Sequence, residues 1–340
     1  MKLMKGINLG GFLSQCEHLT EHYKQFIKYD DIKQIADWGF DHVRLPIDYE
    51  VIEDNSGNPI EEGYQLLSEI ISWCKELKLE IILDLHKAYG YDFNNARNFQ
   101  KNNLFSNSML QDRFISLWRT IANRFGEYDG VAFELLNEVV ENENAEIWNS
   151  LISRTVDAIR AITTKTPIIY GGIQWNSANT VKMLEKPKHE NIIFTFHFYE
   201  PLLFTHQKAY WVEKMNKELV VSYPDSMEWY RKESAKIGEQ GLTVSESKID
   251  NVGAEFIEYN IKAAIEAAKD AGVRLYCGEF GVIDKAPISD TFTWFNEIDK
   301  IFKKYNIGFS VWTYKDKDFG LIGPHYDSIR DKLINLWINE

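Results

Sequence analysis

The chain of 340 residues carries 51 acidic and 38 basic side chains, a formal charge of −13 and 14% aromatic residues. This charge excludes nucleic acid and anionic membrane as partners, and the sequence has no apolar run long enough for a signal peptide or a membrane span. Three scattered cysteines argue against a disulfide framework, so we expect a cytoplasmic protein, or a secreted one whose leader has been removed.

Eight short segments rich in Val, Ile, Leu and Phe recur along the chain, which predicts strands that are buried on both faces. They are Lys5–Leu9, Asp41–Ile47, Glu80–His86, Gly130–Glu138, Pro167–Gly172, Ile192–Tyr199, Leu275–Gly281 and Gly308–Tyr314. Amphipathic segments between them predict helices, because apolar residues recur there at helical spacing. The clearest are Gly63–Leu77, Met109–Phe125, Ala145–Ile162, Phe256–Ala271 and Phe292–Tyr305.

Eight strand–helix repeats predict an α/β protein with one closed, parallel (β/α)8 TIM barrel over residues 1–340, since each crossover must cover the sheet with a helix. An open, doubly wound sheet is the alternative. It is disfavoured because no glycine-rich phosphate loop follows the first strand.

The interval from Pro201 to Arg274 is too long for one loop and one helix. We predict that Phe204–Asn251 forms a small helical insertion on the catalytic rim, between strand 6 and helix 6. A disordered linker is the alternative, but disordered segments are poor in aromatic residues. This one contains Tyr210, Trp211, Tyr223, Trp229 and Tyr230.

Polar and aromatic side chains that could carry chemistry stand at the ends of the predicted strands. In a barrel of this kind the active site lies at the carboxyl ends of the strands, where these side chains converge. They are Arg44, His86, Asn137, Glu138, His197, Tyr199, Glu279 and Trp312. Each alone has a structural explanation, such as a core histidine or a helix cap. Their joint placement at six strand ends favours one active site.

Glu138 and Glu279 are the predicted catalytic carboxylates, because strands four and seven face each other across the barrel mouth. Retaining cleavage of a glycosidic bond needs an acid that protonates the leaving oxygen and a carboxylate that attacks the anomeric carbon, about 5–5.5 Å apart. Arg44 and Tyr199 would keep the attacking group ionised. Spacing alone does not assign the two roles. Glu134 is predicted to be a structural acid in the barrel floor.

Two other functions are compatible with the same side chains. Asp84, His86 and His197 could ligate the metal of a metal-dependent hydrolase. A metal site needs three or more protein ligands, however, and the neighbouring Arg44 and Trp312 do not ligate. A non-catalytic glycan-binding barrel would keep the cleft without turnover, which the presence of both carboxylates disfavours. No cofactor is expected.

The strand-end residues, in this order, resemble family 5 of the glycoside hydrolases, also called cellulase family A. Segments along nearly the whole chain are more similar still to bacterial endoglucanases of the cellulase C type. These segments are GINLGGF, FDHVRLP, AFELLNE, FHFYEPLLFTHQKAYW, LYCGEFGV and VWTYK. Each motif is weak alone, and together they are highly specific.

The resemblance implies a role for each strand-end residue. Glu138 is expected to be the acid/base and Glu279 the nucleophile. Asn137 is expected to bind the 2-hydroxyl of the sugar at the cleavage point, and Trp312 to form the floor beneath that sugar. The remaining polar groups are expected to orient the nucleophile and complete the polar shell: Arg44, Tyr199, His86 and His197.

The function implied is that of a retaining endo-β-1,4-glucanase, a monomer that acts on β-linked polysaccharides or oligosaccharides. A β-mannanase, glucomannanase or mixed-linkage β-glucanase is the alternative, because one chemistry serves many sugars. The chain departs from the family at Lys87, where a second histidine is common, at Val139, where proline is common, and at Phe12, where tryptophan is common. These departures leave the substrate preference open.

Aromatic side chains in an open cleft can bind the apolar faces of pyranose rings. The further substrate-binding candidates are Phe12, Trp175, Phe204, His206 and Trp211, with Tyr89 and Tyr91 as additional aromatic candidates. For each aromatic residue taken singly, a place in the core is equally compatible with the sequence.

Overall fold

A computed structural model describes residues 1–339, in which eight parallel strands close into one barrel. Each strand pairs with the next along the chain, and β8 pairs with β1 to close the ring. The strands are β1 (Lys5–Asn8), β2 (His42–Asp48), β3 (Glu80–Lys87), β4 (Val131–Glu134), β5 (Ile168–Gly171), β6 (Ile192–Phe198), β7 (Arg274–Phe280) and β8 (Gly308–Val311). The predicted fold class is confirmed.

Within residues 1–339, α-helices follow seven of the eight strands. They are α1 (Thr20–Gln25), α2 (Tyr29–Trp38), α3 (Tyr49–Ile52), α4 (Glu61–Glu76), α5 (Ser108–Phe125), α6 (Ala145–Arg160), α7 (Leu202–Thr205), α8 (Met227–Ser234), α9 (Leu242–Ser245), α10 (Ala254–Ala271), α11 (Ile288–Tyr305) and α12 (Arg330–Ile338). In these residues no helix is long and apolar enough to cross a membrane.

The connection between β5 and β6 departs from the predicted strand–helix alternation. It forms only a 3₁₀ helix, Ala178–Met183, against which α10 packs. Asn176 and Ser177 precede this stretch and Pro187 follows it, and these residue types favour turns over a continuous helix. The barrel wall is covered at this point by a neighbouring helix instead of its own.

Three barrel helices end at a residue with a left-handed backbone conformation. Gly39 (φ 93°) follows α2, Gly272 (φ 74°) follows α10, and Asn306 (φ 53°) follows α11. Glycine and asparagine tolerate this conformation, which lets the chain leave the helix and turn directly into the next strand. The turns after α10 and α11 therefore deliver β7 and β8 to the barrel.

Several strands end one residue earlier than the sequence predicts, and two end at least three residues earlier. β4 ends at Glu134 instead of Glu138, and β8 ends at Val311 instead of Tyr314. The ladder between β7 and β8 also changes register above Cys277. Such irregularities at a barrel rim redirect side chains. The segment carrying Glu138 is therefore positioned by contacts outside the regular strand.

Side chains inside the barrel form an apolar lower layer and a polar upper layer. The lower layer consists of Leu3, Ile82, Ala132, Ile169, Ile193 and Tyr276. Asp84 and Glu134 follow Ile82 and Ala132 by two residues, so they lie on the same face of their strands, one layer higher. The charged groups thus lie between an apolar plug and the open end of the barrel.

The insertion after β6 is helical, as predicted. It contains α7, α8, the 3₁₀ segment Ala235–Gly241 and α9. Its buried side chains, such as Tyr223 and Tyr230, belong to the same hydrophobic cluster as the barrel and its outer helices. The insertion is therefore packed as an extension of the barrel core.

Candidate active site

Arg44 of β2 is fully buried inside the barrel mouth and connects side chains from several strands. Its Nε and Nη2 donate to the two oxygens of Glu134 at 2.7 and 2.9 Å. Nη1 donates to Glu279 Oε1 and to Asn8 Oδ1, both at 2.9 Å. Nη2 also donates to Asn137 Oδ1 at 2.8 Å. One rigid guanidinium thus orients groups of the first, fourth and seventh strand segments.

Three carboxylates share the charge of Arg44, because Asp84 Oδ2 also lies 3.0 Å from Nη2. Burial raises the pKa of Asp84 to about 7, although the nearby guanidinium opposes this. Burial acts to lower the pKa of Arg44, but the three carboxylates outweigh it and keep the pKa well above its usual value. Arg44 is therefore a permanent cation whose charge is shared by three buried acids.

The structure brings Glu138 and Glu279 together across the barrel mouth. One oxygen of each and a ring nitrogen of His197 all lie within 4.8 Å of one another. Both glutamates are largely buried, with 9% and 6% of their surfaces exposed. Their closeness suits double displacement, since inverting enzymes separate the carboxyl groups by about 6.5–9.5 Å to admit a water molecule.

The two glutamates have different surroundings. Burial raises the pKa of Glu138 to about 7, with Arg44 acting in the opposite direction. His197 Nδ1 lies 2.8 Å from Glu138 Oε1, and burial lowers the pKa of this histidine to about 4, so the ring is neutral. Glu138 is therefore suited to hold a proton near neutral pH.

Glu279 instead faces charge and a hydrogen-bond donor. Arg44 Nη1 donates to one oxygen, and the Tyr199 hydroxyl donates to the other at 2.9 Å. Burial and the charge of Glu279 raise the pKa of Tyr199 well above its usual value, so this hydroxyl remains a donor. A carboxylate held in this way is suited to act as an anion.

His86 and Trp312 lie side by side at the ends of β3 and β8. Their rings are nearly parallel, at an interplanar angle of 8° and a centroid distance of 6.0 Å. Asp84 Oδ2 lies 2.7 Å from His86 Nδ1, and Gln15 Nε2 lies 3.3 Å from its Nε2. Burial lowers the pKa of His86. The His86 ring is therefore neutral, lines the site and is fixed by a contact at each of its two nitrogens.

Comparison with known proteins identifies the family of this arrangement. The model of the family described as "Cellulase (glycosyl hydrolase family 5)" matches residues 5–318. The chain belongs to glycosyl hydrolase family 5. The predicted resemblance is thereby confirmed, and the protein is a glycoside hydrolase.

Similar proteins are named endoglucanase and cellodextrinase. Endoglucanase C of Acetivibrio thermocellus is 38% identical over 336 residues, which cover 97% of this chain and 96% of the relative. Cellodextrinase A of Ruminococcus flavefaciens is 38% identical over 306 residues, 90% of this chain and 83% of the relative. The crystal structure of endoglucanase Cel5A from Thermotoga maritima is 26% identical, with a TM-score of 0.73 and coverage of 99% and 97%.

Two predicted aromatic platforms of this family 5 enzyme are wrong. Phe12 and Phe204 are both 0% exposed, and Phe204 packs against Tyr223 at a centroid distance of 5.1 Å. A ring without accessible surface cannot bind a sugar face. Both belong to the hydrophobic core, Phe12 in the segment after β1 and Phe204 in α7.

Tyr91, one of the additional aromatic candidates, is buried as well, whereas Trp211, His206 and Trp175 retain accessible surface. Trp211 is 45% exposed and contacts the half-buried His206, whose ring packs on Tyr199 at 4.9 Å. Trp175 is half-buried on a left-handed turn, and its backbone N–H donates to Val139 O beside Glu138. These three side chains remain candidate substrate contacts.

Sequence reasoning missed Asn8 and Phe319. Asn8 ends β1 and accepts from Arg44, so the same strand-end argument would have found it. Phe319 lies in the loop after β8 and packs against Tyr199 and His206 at 6.0 and 5.2 Å. No local pattern marks Phe319, since its contacts come from a distant insertion.

A metal-dependent hydrolase would need side-chain donors that converge on one ion. Among residues 1–339, two groups of three side chains could converge on an ion. One is His18, Asp48 and Glu50; the other is Glu138, His197 and Glu279. Neither includes Asp84 or His86, and Asp84 faces Arg44 instead. The donor set expected for a metal-dependent hydrolase is not assembled.

Proposed function

We propose that this family 5 enzyme is a retaining endo-β-1,4-glucanase that cleaves β-glucan chains, with Glu138 as acid/base and Glu279 as nucleophile. The supporting observation is the pair of glutamates with oxygens within 4.8 Å and opposite electrostatic surroundings. Glu138 is largely desolvated, which favours its protonated form, whereas Glu279 accepts from a guanidinium and a phenol. A desolvated carboxyl group suits the acid, and a carboxylate that accepts from a cation and a phenol suits the nucleophile.

In the first step Glu138 donates its proton to the glycosidic oxygen while Glu279 attacks the anomeric carbon. The bond to the leaving sugar breaks and a covalent glycosyl–enzyme ester forms. Arg44 binds the oxygen of Asn137, which leaves the amide nitrogen as a donor for the 2-hydroxyl of the attacked sugar. Trp312 supplies the apolar floor below it.

In the second step the ionised Glu138 takes a proton from water, and this water attacks the anomeric carbon. The ester bond to Glu279 breaks, and its charge returns between Arg44 and Tyr199. Two inversions at the same carbon give net retention. Since Arg44 and Tyr199 already surround Glu279 before reaction, little reorganisation accompanies the change in charge.

The glucanase assignment also rests on the names of the similar proteins, which include an endoglucanase and a cellodextrinase. Lys87 is the residue beside the site that could change the preference. Its ammonium lies 3.1 Å from Asp48 and 3.6 Å from Asp92, next to His86. A charged donor here could select another sugar or linkage, so mannan and mixed-linkage glucan remain the alternative substrates.

The nucleophile assignment is tested with Glu279→Ala. We expect turnover of β-glucan to fall by about 10⁴-fold or more while the fold is retained. Azide should restore cleavage of an activated aryl β-cellobioside and give the α-glycosyl azide, because the small anion enters where the carboxylate was. Circular dichroism controls for folding. A variant that keeps most of its rate would contradict the assignment.

The substrate assignment is tested with a panel of carboxymethyl-cellulose, lichenan, glucomannan, mannan and xylan. We expect the highest kcat/KM on a β-1,4-glucan and an early fall in viscosity relative to reducing ends, as internal cleavage requires. If activity were highest on mannan, the enzyme would be a mannanase and the glucanase assignment would be wrong. Release of reducing ends with little fall in viscosity would instead indicate terminal cleavage.

A further inference from the structure

Glu141 is a buried carboxylate close to Glu138 that the proposed mechanism does not use. It is 6% exposed and lies three residues beyond Glu138. Its Oε2 accepts from the Tyr91 hydroxyl at 3.2 Å and from Asn144 Nδ2 at 3.1 Å. Its Oε1 accepts from the backbone N–H of Arg97 at 2.9 Å. A buried carboxylate with three donors holds its surroundings in one geometry.

The segment between Glu134 and Glu141 depends on such contacts, because β4 has already ended. Trp175 N donates to Val139 O at 3.2 Å from the side of β5. From the side of β3, the Tyr91 hydroxyl accepts from Val140 N at 2.8 Å. Tyr91 is 3% exposed, and its hydroxyl forms two buried hydrogen bonds with this segment, since it accepts from Val140 N and donates to Glu141 Oε2.

We propose that Tyr91 and Glu141 are positioning residues that hold Glu138 at the distance from the leaving oxygen that proton transfer requires. The inference rests on the proposed acid/base role of Glu138. Both residues act through the backbone of Val139–Glu141, and neither contacts the reacting atoms. The loop after β3, which carries Tyr91 and Arg97, therefore determines the position of an acid in the segment that follows β4.

The chemistry gives this role a specific signature. Proton donation matters for substrates with a poor leaving group, and hardly at all for one that leaves as a stable anion. A displaced acid therefore slows the first substrate class and spares the second. General destabilisation or a reduced folded fraction would slow both classes equally. Misplacement of a catalytic group by about 1 Å can cost about 100-fold in rate.

The experiment compares Tyr91→Phe and Glu141→Gln with the unmodified protein on a series of aryl glycosides. Tyr91→Phe keeps the ring that packs on Phe105 at 5.1 Å and removes only the hydroxyl. Glu141→Gln keeps the shape but turns an amide towards N–H donors. The series is built on the disaccharide that the unmodified protein cleaves. An error in the proposed sugar would therefore show in the unmodified protein, and it would not affect the comparison of the variants with that protein.

We expect kcat/KM to fall by about 10- to 100-fold for phenyl glycosides and less than twofold for 2,4-dinitrophenyl glycosides in both variants. Glu143→Gln, at an exposed acid of the same loop, should leave both rates unchanged. Melting temperatures identify any loss of folded protein. Equal losses on both substrates, or no loss with a poor leaving group in the folded Tyr91→Phe variant, would overturn the proposal.

Discussion

Glu138 should impose a pH limit on catalysis because it works as an acid only while protonated. Burial raises its pKa to about 7, so the protonated fraction falls at higher pH. We expect kcat/KM on substrates with poor leaving groups to fall about tenfold per pH unit above about 7. On a 2,4-dinitrophenyl glycoside, whose departure needs little protonation, the same protein should lack this limb. A basic limb that persists unchanged would assign the ionisation to another group.

Arg44 should be needed for stability as well as for orienting Glu279. In Arg44→Met the buried acids Asp84 and Glu134 lose their cation, and we expect a loss of about 3–5 kcal/mol in the free energy of unfolding at pH 7. Burial already raises the pKa of both acids, so at pH 5 they are more protonated and the loss should shrink.

Urea unfolding at both pH values measures the effect of Arg44→Met. Arg124→Met is the matched control, because Arg124 is partly exposed and pairs with Glu61 on the surface. It should cost less than about 1 kcal/mol at either pH. An equal loss for Arg44→Met at pH 5 and pH 7 would show that the charge of the buried acids is not what matters.

The positions of the strands were predictable from the sequence, because buried parallel strands need continuous apolar runs. Their ends were not, since β4 stops at Glu134 although Leu135 and Leu136 continue the apolar run. Polar residues at strand ends located the arginine and both glutamates correctly in space. Burial of Phe12 and Phe204 was not predictable, because the sequence does not distinguish an aromatic side chain in the core from one on the floor of a cleft.

The lower part of the barrel contains a polar network whose expected role is stability. The Tyr276 hydroxyl lies 2.7 Å from His42 Nε2 and 2.6 Å from Ser310 Oγ, linking β7 to β2 and β8. Tyr276→Phe should lower the free energy of unfolding by about 1–3 kcal/mol, since it leaves buried partners unsatisfied. kcat/KM should not change, because chemistry lies at the opposite end of the strands.

Thermal unfolding and steady-state kinetics on the same samples test this separation of roles. Ser153→Ala, at a half-buried serine on α6, provides a control for loss of a hydroxyl outside the barrel and should leave both quantities unchanged. A drop in kcat/KM with Tyr276→Phe at temperatures where the protein stays folded would contradict it.

One continuous hydrophobic core connects the insertion to the barrel that carries the active site. Tyr223, Met227 and Tyr230 belong to the cluster that also contains Phe280 of β7. Trp294 of α11 donates its ring N–H to Glu200 O at the base of the insertion, at 3.0 Å. The insertion should therefore unfold with the barrel, although it contributes side chains to the rim.

Tyr230→Ala tests this coupling because the side chain is 0% exposed and its hydroxyl donates to Ser222 O at 2.6 Å. We expect a loss of about 3–5 kcal/mol, typical of an aromatic deletion in a core, and a single calorimetric transition at lower temperature. Tyr210→Ala, at a residue that is 76% exposed, should change stability by less than about 0.5 kcal/mol. If Tyr230→Ala instead produced two transitions, with only the lower one shifted, the insertion would be a separate folding unit, and its hold on His206 and Trp211 would be independent of the barrel.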